Sequence, residues 1–517
     1  MSGLLSKFAT VGGASMASRV LGFGREALLA AALGTGPVAD VFYTCFRFPN
    51  LFRRLFAEGA FNIAFVPLFA KELESGGEEA ARKFGQQVFS VLASWLIVFT
   101  VLALLTMPFL VANLVAPGFS DTPDKFDLSV SMTRIMFPYL LCMSLVAMFS
   151  GVLNSLRRYF LAAIVPVMLN VILISVLVLG IFLEWPDQQI GFGLAWGVLI
   201  SGIAQLAILA WGVWRVGFGF GLTLPQLTDP VKRLLVLMGP GLLTGGVLQI
   251  NLLIGTIIAT QQDGANALLN YADRLNQLPL GVIGIAVGVV LLPELSRALK
   301  AGDRDQAEQL QNRSLEFALA LTLPAAVGLM VIPADIIAVV YERGAFDSEA
   351  TQKTALALAA FASGLPAYVM LKVFQPAFFA REDMRTPFYF SVVMVGVNIV
   401  LSLSLFPIIG HVGIAVATSI SAWVNLLLLV VTLWRRNDFK PDSATLRRLL
   451  LLLVSSMLMG GAILLMRSQL MPWLDASFLW QFMSVTVMIG GGAALYFAFS
   501  LATGAMQARY LKRLLRR

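Results

Sequence analysis

The stretch Arg19–Gly59 reads RVLGFGREALLAAALGTGPVADVFYTCFRFPNLFRRLFAEG. It lies inside runs apolar enough for lipid, yet it carries Arg19, Arg25, Glu26, Asp40, Arg47, Arg53, Arg54 and Glu58. An Arg or Asp at the centre of a membrane helix costs about 2.5–3.5 kcal/mol on insertion scales. A chain that keeps so many charges directs them at a wet cavity or at one another. Five arginines stand against three carboxylates, so the simplest ligand for such a cavity is an anion.

Outward from this stretch the chain has the composition of a polytopic membrane protein. Of 517 residues, 58% are hydrophobic and only 13% charged, against about 25% charged in a soluble domain. Its apolar runs reach the roughly 20 residues that a helix needs to cross the hydrocarbon layer. They lack the alternation of an outer-membrane barrel. The net charge of +8 comes from basic residues clustered between apolar runs, as the positive-inside rule requires, and does not point to nucleic acid. Cys45 and Cys142 lie within apolar runs and read as small core residues. The only histidine, His411, is expected in a short loop with no ligand partner.

Fourteen segments are expected, near 5–33, 37–70, 85–116, 128–156, 160–184, 189–215, 231–260, 265–297, 308–334, 349–379, 387–407, 410–434, 446–467 and 477–503. The even connections are basic, as with Lys71, Arg82 and Lys83, or Arg157 and Arg158. The odd ones are cation-poor, and several are acidic, with Asp121, Asp124 and Asp127, Glu184 and Asp187, and Asp263. That alternation places both termini in the cytoplasm.

The chain also repeats itself. VPLFAKELESG at 66–76 matches LPELSRALKAG at 292–302, and Pro138 precedes Asn170 by the same 32 positions that separate Pro366 from Asn398. The offsets lie near 227 residues. Six helices therefore occur twice in the same orientation, as a parallel repeat of the kind used for alternating access. The expected division is a first lobe at 1–220, a second at 221–440, and two further helices with a basic tail at 441–517.

Three constellations carry candidate chemistry. In the first, Arg19 and Arg25 are six residues apart and share a broad helix face, about 120° between them. Guanidinium groups stay charged at any depth and grip phosphate oxygens with two hydrogen bonds. Structural ion pairs are the alternative: Arg25 with Glu26 or Asp40, and Arg53 or Arg54 with Glu58. The second is NYADRLNQLP at 270–279, where Asp273 and Arg274 fall opposite Arg47 in the repeat and could also neutralise each other. Asn251 offers a hydrogen bond either to a headgroup or to another helix. The third is a set of glycines and prolines inside helices, with Gly239–Gly241 read as a kink or hinge. No Walker A loop, H-E-x-x-H or C-x-x-C is present. No nucleotide, metal or other cofactor is expected, and the chain is not read as an enzyme.

The residues RVLGFGRE at 19–26, ADVFYTCFRFPNLFRRLFAEGAFNIAFVP at 39–67, APGF at 116–119, YADR at 271–274 and LPELS at 292–296 resemble the MurJ (MviN) family, the lipid II flippases of the MOP exporter superfamily. The resemblance covers essentially the whole chain. It implies an all-α fold of 14 transmembrane helices, two six-helix lobes around a central cationic cavity, and a lipid-tail groove formed by the two extra helices. It implies lipid II as the substrate, moved across the bacterial inner membrane, with cell-wall synthesis and division proteins as candidate partners. By motif match it puts Arg19, Arg25, Arg53, Arg274 and Asp40 in the substrate site, with Arg54, Glu58 and Asp273 in support. Asn251 and Glu26 join the two sets from the residue reading above. Gln277 departs from members that carry an acidic residue there. The alternatives are another exporter of the superfamily, a membrane-embedded enzyme acting on polyprenyl pyrophosphates, or a passive scaffold.

Overall fold

The structure is a computed structural model that describes residues 2–54, 61–474 and 476–506, and the side chains within them except at 2–11, 15, 240, 243, 244, 282–290 and 304. Glu58 lies outside the described residues. The chain opens with α1 (Ser2–Leu33), α2 (Pro37–Phe52), α3 (Phe61–Leu105) and the single turn α4 (Met107–Leu110). A π turn at Val111–Val115 and a 3-10 turn at Pro117–Phe119 lead to α5 (Pro123–Met136), α6 (Tyr139–Ser155), α7 (Tyr159–Phe182) and α8 (Asp187–Arg215). Then come α9 (Asp229–Ala259), α10 (Ala265–Lys300), α11 (Arg304–Val331), α12 (Pro333–Tyr341) and α13 (Ser348–Phe379). The series closes with α14 (Arg385–Ile409), α15 (His411–Arg435), α16 (Ser443–Leu474) and α17 (Phe478–Ala502).

Among the described residues ten helices are long and apolar enough to cross a membrane. They coincide with the expected segments three to six and nine to fourteen. The expected first, second, seventh and eighth segments are helical as well, in α1, α2, α9 and α10, and these are the ones that carry the candidate site residues.

The helices refine the expected segments. Of the second segment, α2 covers Pro37–Phe52 and residues 61–70 open α3, while residues 55–60 lie outside the described residues. The basic connection that follows is itself helical, bent at Gly77 (φ 75°, ψ −171°), a conformation open to glycine at little cost. The fourth segment is one span, Pro123–Ser155, with a turn between α5 and α6 at Pro138, which has no N–H to continue the ladder. At Gly239–Gly241, read as a kink, the helical run of α9 is uninterrupted. His411 is not in a loop. It opens α15, buried, with Nε2 3.0 Å from the Lys353 carbonyl.

The repeat is visible in the backbone. Left-handed residues recur in pairs 220 to 230 positions apart: Gly34 and Gly264, Gly77 and Gly302, Arg157 and Glu382, Glu184 and Gly410, Gly217 and Asn437. The helix ends at Arg157 and Glu382 close identically, with Arg158 N–H donating to the Leu153 carbonyl (2.8 Å) and Asp383 N–H to Phe378 (3.0 Å). Both satisfy a carbonyl that the helix end would leave orphaned. Packing repeats too. In the first half α6 lies on α3 and α8, and α7 on α8; in the second, α13 lies on α11 and α15, and α14 on α15.

Contacts divide the chain into two compact units, one of Met1–Ala267 with Arg343–Phe346, the other of Leu268–Glu342 with Asp347–Arg517. The boundary differs from the repeat boundary at 220/221 because α9 packs on α2 and α3. In the first unit the acidic-end connections are joined by backbone: Ala345 N–H donates to Ala31 O at 2.9 Å. Gly34 (φ 57°) and Gly344 (φ 59°) allow this approach, since a Cβ on either would run into the carbonyl of Ala345 or Ala31. In the second unit α16 and α17 are fastened to the bundle by Glu316 with Arg448 (3.0 Å), Asp335 with Arg467 (2.7 Å), and the Tyr496 hydroxyl donating to Ala320 O (2.7 Å).

Gly34→Ala is expected to lower stability by roughly 1–3 kcal/mol, and by more than Gly217→Ala, where φ is 86° but nothing lies within 4 Å of the new Cβ. Thermal unfolding in detergent measures the difference. At the basic end, partial burial alone would raise the Asp383 pKa, but hydrogen bonds from Arg436 (2.7 Å) and Thr386 hold it down to about 2. Its stabilisation is therefore complete above the unfolded carboxylate value of about 3.9 and is lost as the pH falls toward 2. Asp383→Asn should flatten the fall in melting temperature across that window.

Candidate functional site

The charged residues of α1 are set by its packing along α7. Asn170 of α7 donates from Nδ2 to the Ser18 carbonyl (3.0 Å) and accepts from Arg25 Nη1 (3.1 Å). The other arm of Arg25 pairs with Glu26, whose second oxygen accepts from the Tyr43 hydroxyl. Arg25 is 13% exposed and Glu26 4%, so this is a buried, neutral pair linking α1, α2 and α7. Of the two pairings left open by sequence, Arg25 takes Glu26. Arg25 Nε is buried with no hydrogen-bond partner among the described residues. Arg19, six residues earlier on α1, is exposed.

Arg47 of α2, and Arg53 and Arg54 just after it, lie toward its other end. Arg47 donates to Thr256 Oγ1 of α9 at 2.7 Å, and that hydroxyl donates back to Leu252 O. Arg53 is half-buried and donates from Nε to Asn50 Oδ1 (2.7 Å), while Arg54 is exposed. Asn251 is half-buried on α9, five residues from Thr256.

Asp40 has no solvent access, and its cation is not an arginine. Lys125 Nζ of α5 lies 2.8 Å from Asp40 Oδ2 and 2.8 Å from Asp263 Oδ1, while Asp40 Oδ1 accepts the Asn266 N–H at 3.0 Å. The ammonium also sits 4.1 Å from the centre of the Phe119 ring. Asp40 is thus paired with Lys125, and not with Arg25, the partner that the sequence offered it. The physical reason is position: Asp40 is in the first turn of α2, beside the acidic-end connections, while Arg47, Arg53 and Arg54 are two or more turns away. Lys125 and Asn266 were missed by sequence reasoning. The available signal was a single lysine inside the acidic run SDTPDKFD at 120–127.

In the second unit, Asp273 and Arg274 are half-buried on α10. Asp273 accepts a hydrogen bond from Gln277, one turn on. A glutamate in place of Gln277 would put a like charge one turn from Asp273. Among the described residues no group of three or more His, Cys, Asp or Glu is arranged to hold a metal.

Glu26→Ala should cost about 3–5 kcal/mol, because it leaves the Arg25 charge buried without its carboxylate. Tyr43→Phe should cost about 1–3 kcal/mol through one lost charged hydrogen bond. Thermal unfolding of the purified protein ranks the two, and equal small losses would show that the pair is solvated.

Comparison with known proteins adds a family to this geometry. A family model described as lipid II flippase MurJ matches residues 29–484. A Rhizobium tropici protein called probable lipid II flippase MurJ is 54% identical over 433 residues, 84% of this chain and 81% of its own. The Burkholderia cenocepacia lipid II flippase MurJ is 36% identical over 446 residues, 85% of each chain. A solved structure described as lipid II flippase MurJ in an inward closed conformation covers 98% of this chain and 99% of its own, with a TM-score of 0.79 at 25% identity. An inward-facing multidrug MATE transporter of the MOP superfamily shares the fold, at 14% identity and a TM-score of 0.63 over 81% of this chain and 94% of its own. A motif set that runs from α1 to α10, a duplicated helical fold and relatives more than half identical agree, and the chain belongs to the MurJ family of lipid II flippases.

Proposed function

We propose that this chain moves lipid II from the cytoplasmic to the outer leaflet by alternating access. Family membership over most of the chain carries the reading. The local chemistry is consistent with it. Lipid II presents a pyrophosphate and peptide carboxylates, and arginine forks hold such groups with two hydrogen bonds apiece. Glu26 is engaged by Arg25 and Tyr43, and Asp40 by Lys125 and Asn266. Neither carboxylate is therefore spent on Arg19.

The proposed substrate-binding set is Arg19, Arg25, Arg53, Arg274, Asp40 and Asn251, of which Asp40 has no solvent access in this structure; Glu26, Arg54, Glu58 and Asp273 support it. The six-helix halves 1–220 and 221–440 are the moving parts, and 441–517 supplies the groove for the lipid tail, giving fourteen spans. The chain sits in the bacterial inner membrane with both termini cytoplasmic, so the acidic connections face outward. Cell-wall synthesis and division proteins are its proposed partners. It works as a transporter, not a catalyst. The sequence has no Walker A loop, so an ion gradient or the membrane potential supplies the work. Each negative charge moved outward across 100 mV, inside negative, gains about 2.3 kcal/mol.

The test is outer-leaflet exposure of lipid II in cells depleted of their own flippase. The wild-type chain should restore exposure, and Arg19→Ala, Arg53→Ala and Arg274→Ala at matched expression should each reduce it about tenfold or more. Variants that expose lipid II as well as the wild type would make these arginines structural. A wild type without effect would refute the transport reading itself.

A further inference from the structure

Lys125 is a cation with almost no solvent access, held between one carboxylate that is fully buried and one that is 93% exposed. A lysine pays heavily to be desolvated, and so does Asp40; each is retained only because the other is there. Asp40 uses its remaining oxygen on the N–H of Asn266, in the first turn of α10. That N–H is one of the donors a helix leaves unsatisfied at its start, and a carboxylate is the group that the positive end of the helix dipole favours. Asp40, a residue of α2, thus caps α10. Lys125, a residue of α5, grips Asp40 and Asp263 together, and Asp263 belongs to the turn that joins α9 to α10. Thr260, at the end of α9, accepts the Gly118 N–H at 3.1 Å on the same side. One ammonium therefore ties α2, α5 and the α9–α10 turn into a single knot at the acidic end of the first unit.

We propose that Lys125 is a positioning residue for transport: it holds Asp40 in place as the cap of α10 and so acts as a charge latch that holds the α9–α10 turn against α2. The flipping readout below rests on the transport reading; the labelling readout does not. Asn266 is 2% exposed, so an Asn266→Cys substitution, in a chain carrying Cys45→Ala and Cys142→Ala, reports whether the latch is closed. The backbone N–H that Asp40 accepts is retained in Asn266→Cys. The probe is a membrane-impermeant maleimide added from outside to intact cells.

With Lys125 present, the thiol introduced by Asn266→Cys should be shielded. Lys125→Met should raise its labelling rate about fivefold or more and lower lipid II exposure about tenfold. Lys125→Arg, which keeps the charge, should hold both within about twofold of the parent. Asp40→Asn with Lys125→Met leaves no buried charge uncompensated, and the introduced thiol should again be shielded; only labelling is read for that pair. Should Lys125→Met not fold, the arginine variant and the neutral pair decide the matter by the same labelling. The proposal is overturned if folded Lys125→Met flips and shields like the parent. It is equally overturned if flipping is lost while the introduced thiol stays shielded, which would make Lys125 a substrate contact, or if Lys125→Arg or the neutral pair labels as fast as an open latch. A parent chain that fails to expose lipid II at all would defeat the transport reading while leaving the labelling result to judge the latch.

Discussion

A carboxylate cut off from water must find a cation and a hydrogen-bond donor within its own protein. Asp40 has both, in Lys125 and the Asn266 N–H, and much of the first unit is arranged to provide them. The 3-10 turn at Pro117–Phe119 delivers the chain to α5 and lays the Phe119 ring against the ammonium. The left-handed turns at Gly34 and Gly264 bring the starts of α2 and α10 to the same place. The Arg25–Glu26–Tyr43 set solves the same problem one helix away, where Asn170 takes up the second arm of the guanidinium.

Placing these groups inside apolar helices has a consequence for mechanism. Charges that are neutralised in pairs can be carried at membrane depth in a resting protein. The second unit shows the contrasting use of ion pairs. Glu316–Arg448 and Asp335–Arg467 lie near opposite ends of α16 and fasten it to α11 and α12. These contacts make the last two helices part of that bundle, where the cores of α11, α12, α16 and α17 are continuous.

The parallel repeat links sequence to architecture. The motif pair at 66–76 and 292–302 is only partly alike in sequence, yet the backbone places a left-handed glycine of φ 75° at the end of each, at Gly77 and Gly302. Where glycine is absent the conformation persists, as at Arg157 and Glu382. Helix termination is a backbone requirement, met by the 6→1 hydrogen bond, so it outlasts the residue identities. Pro138 and Pro366 show the converse. They are equivalent in the repeat, but one separates α5 from α6 and the other sits within an unbroken α13, because surrounding packing decides whether a missing N–H breaks a helix.

The sequence by itself determined the class of the protein, the approximate position of its apolar segments, the alternation of basic and acidic connections, the duplication, and the stretch where charge is concentrated. Those are properties of composition and period, which operate over tens of residues and do not depend on which helices meet. It also offered Arg25–Glu26 as one of two pairings. Only the tertiary structure decided between them, and only it gave Asp40 to Lys125, 85 residues away, Arg25 to Asn170 across 145, and Arg47 to Thr256 across 209. Which charge meets which is a matter of distances of about 3 Å between elements far apart in the chain, and no local pattern in an amino-acid sequence encodes that register.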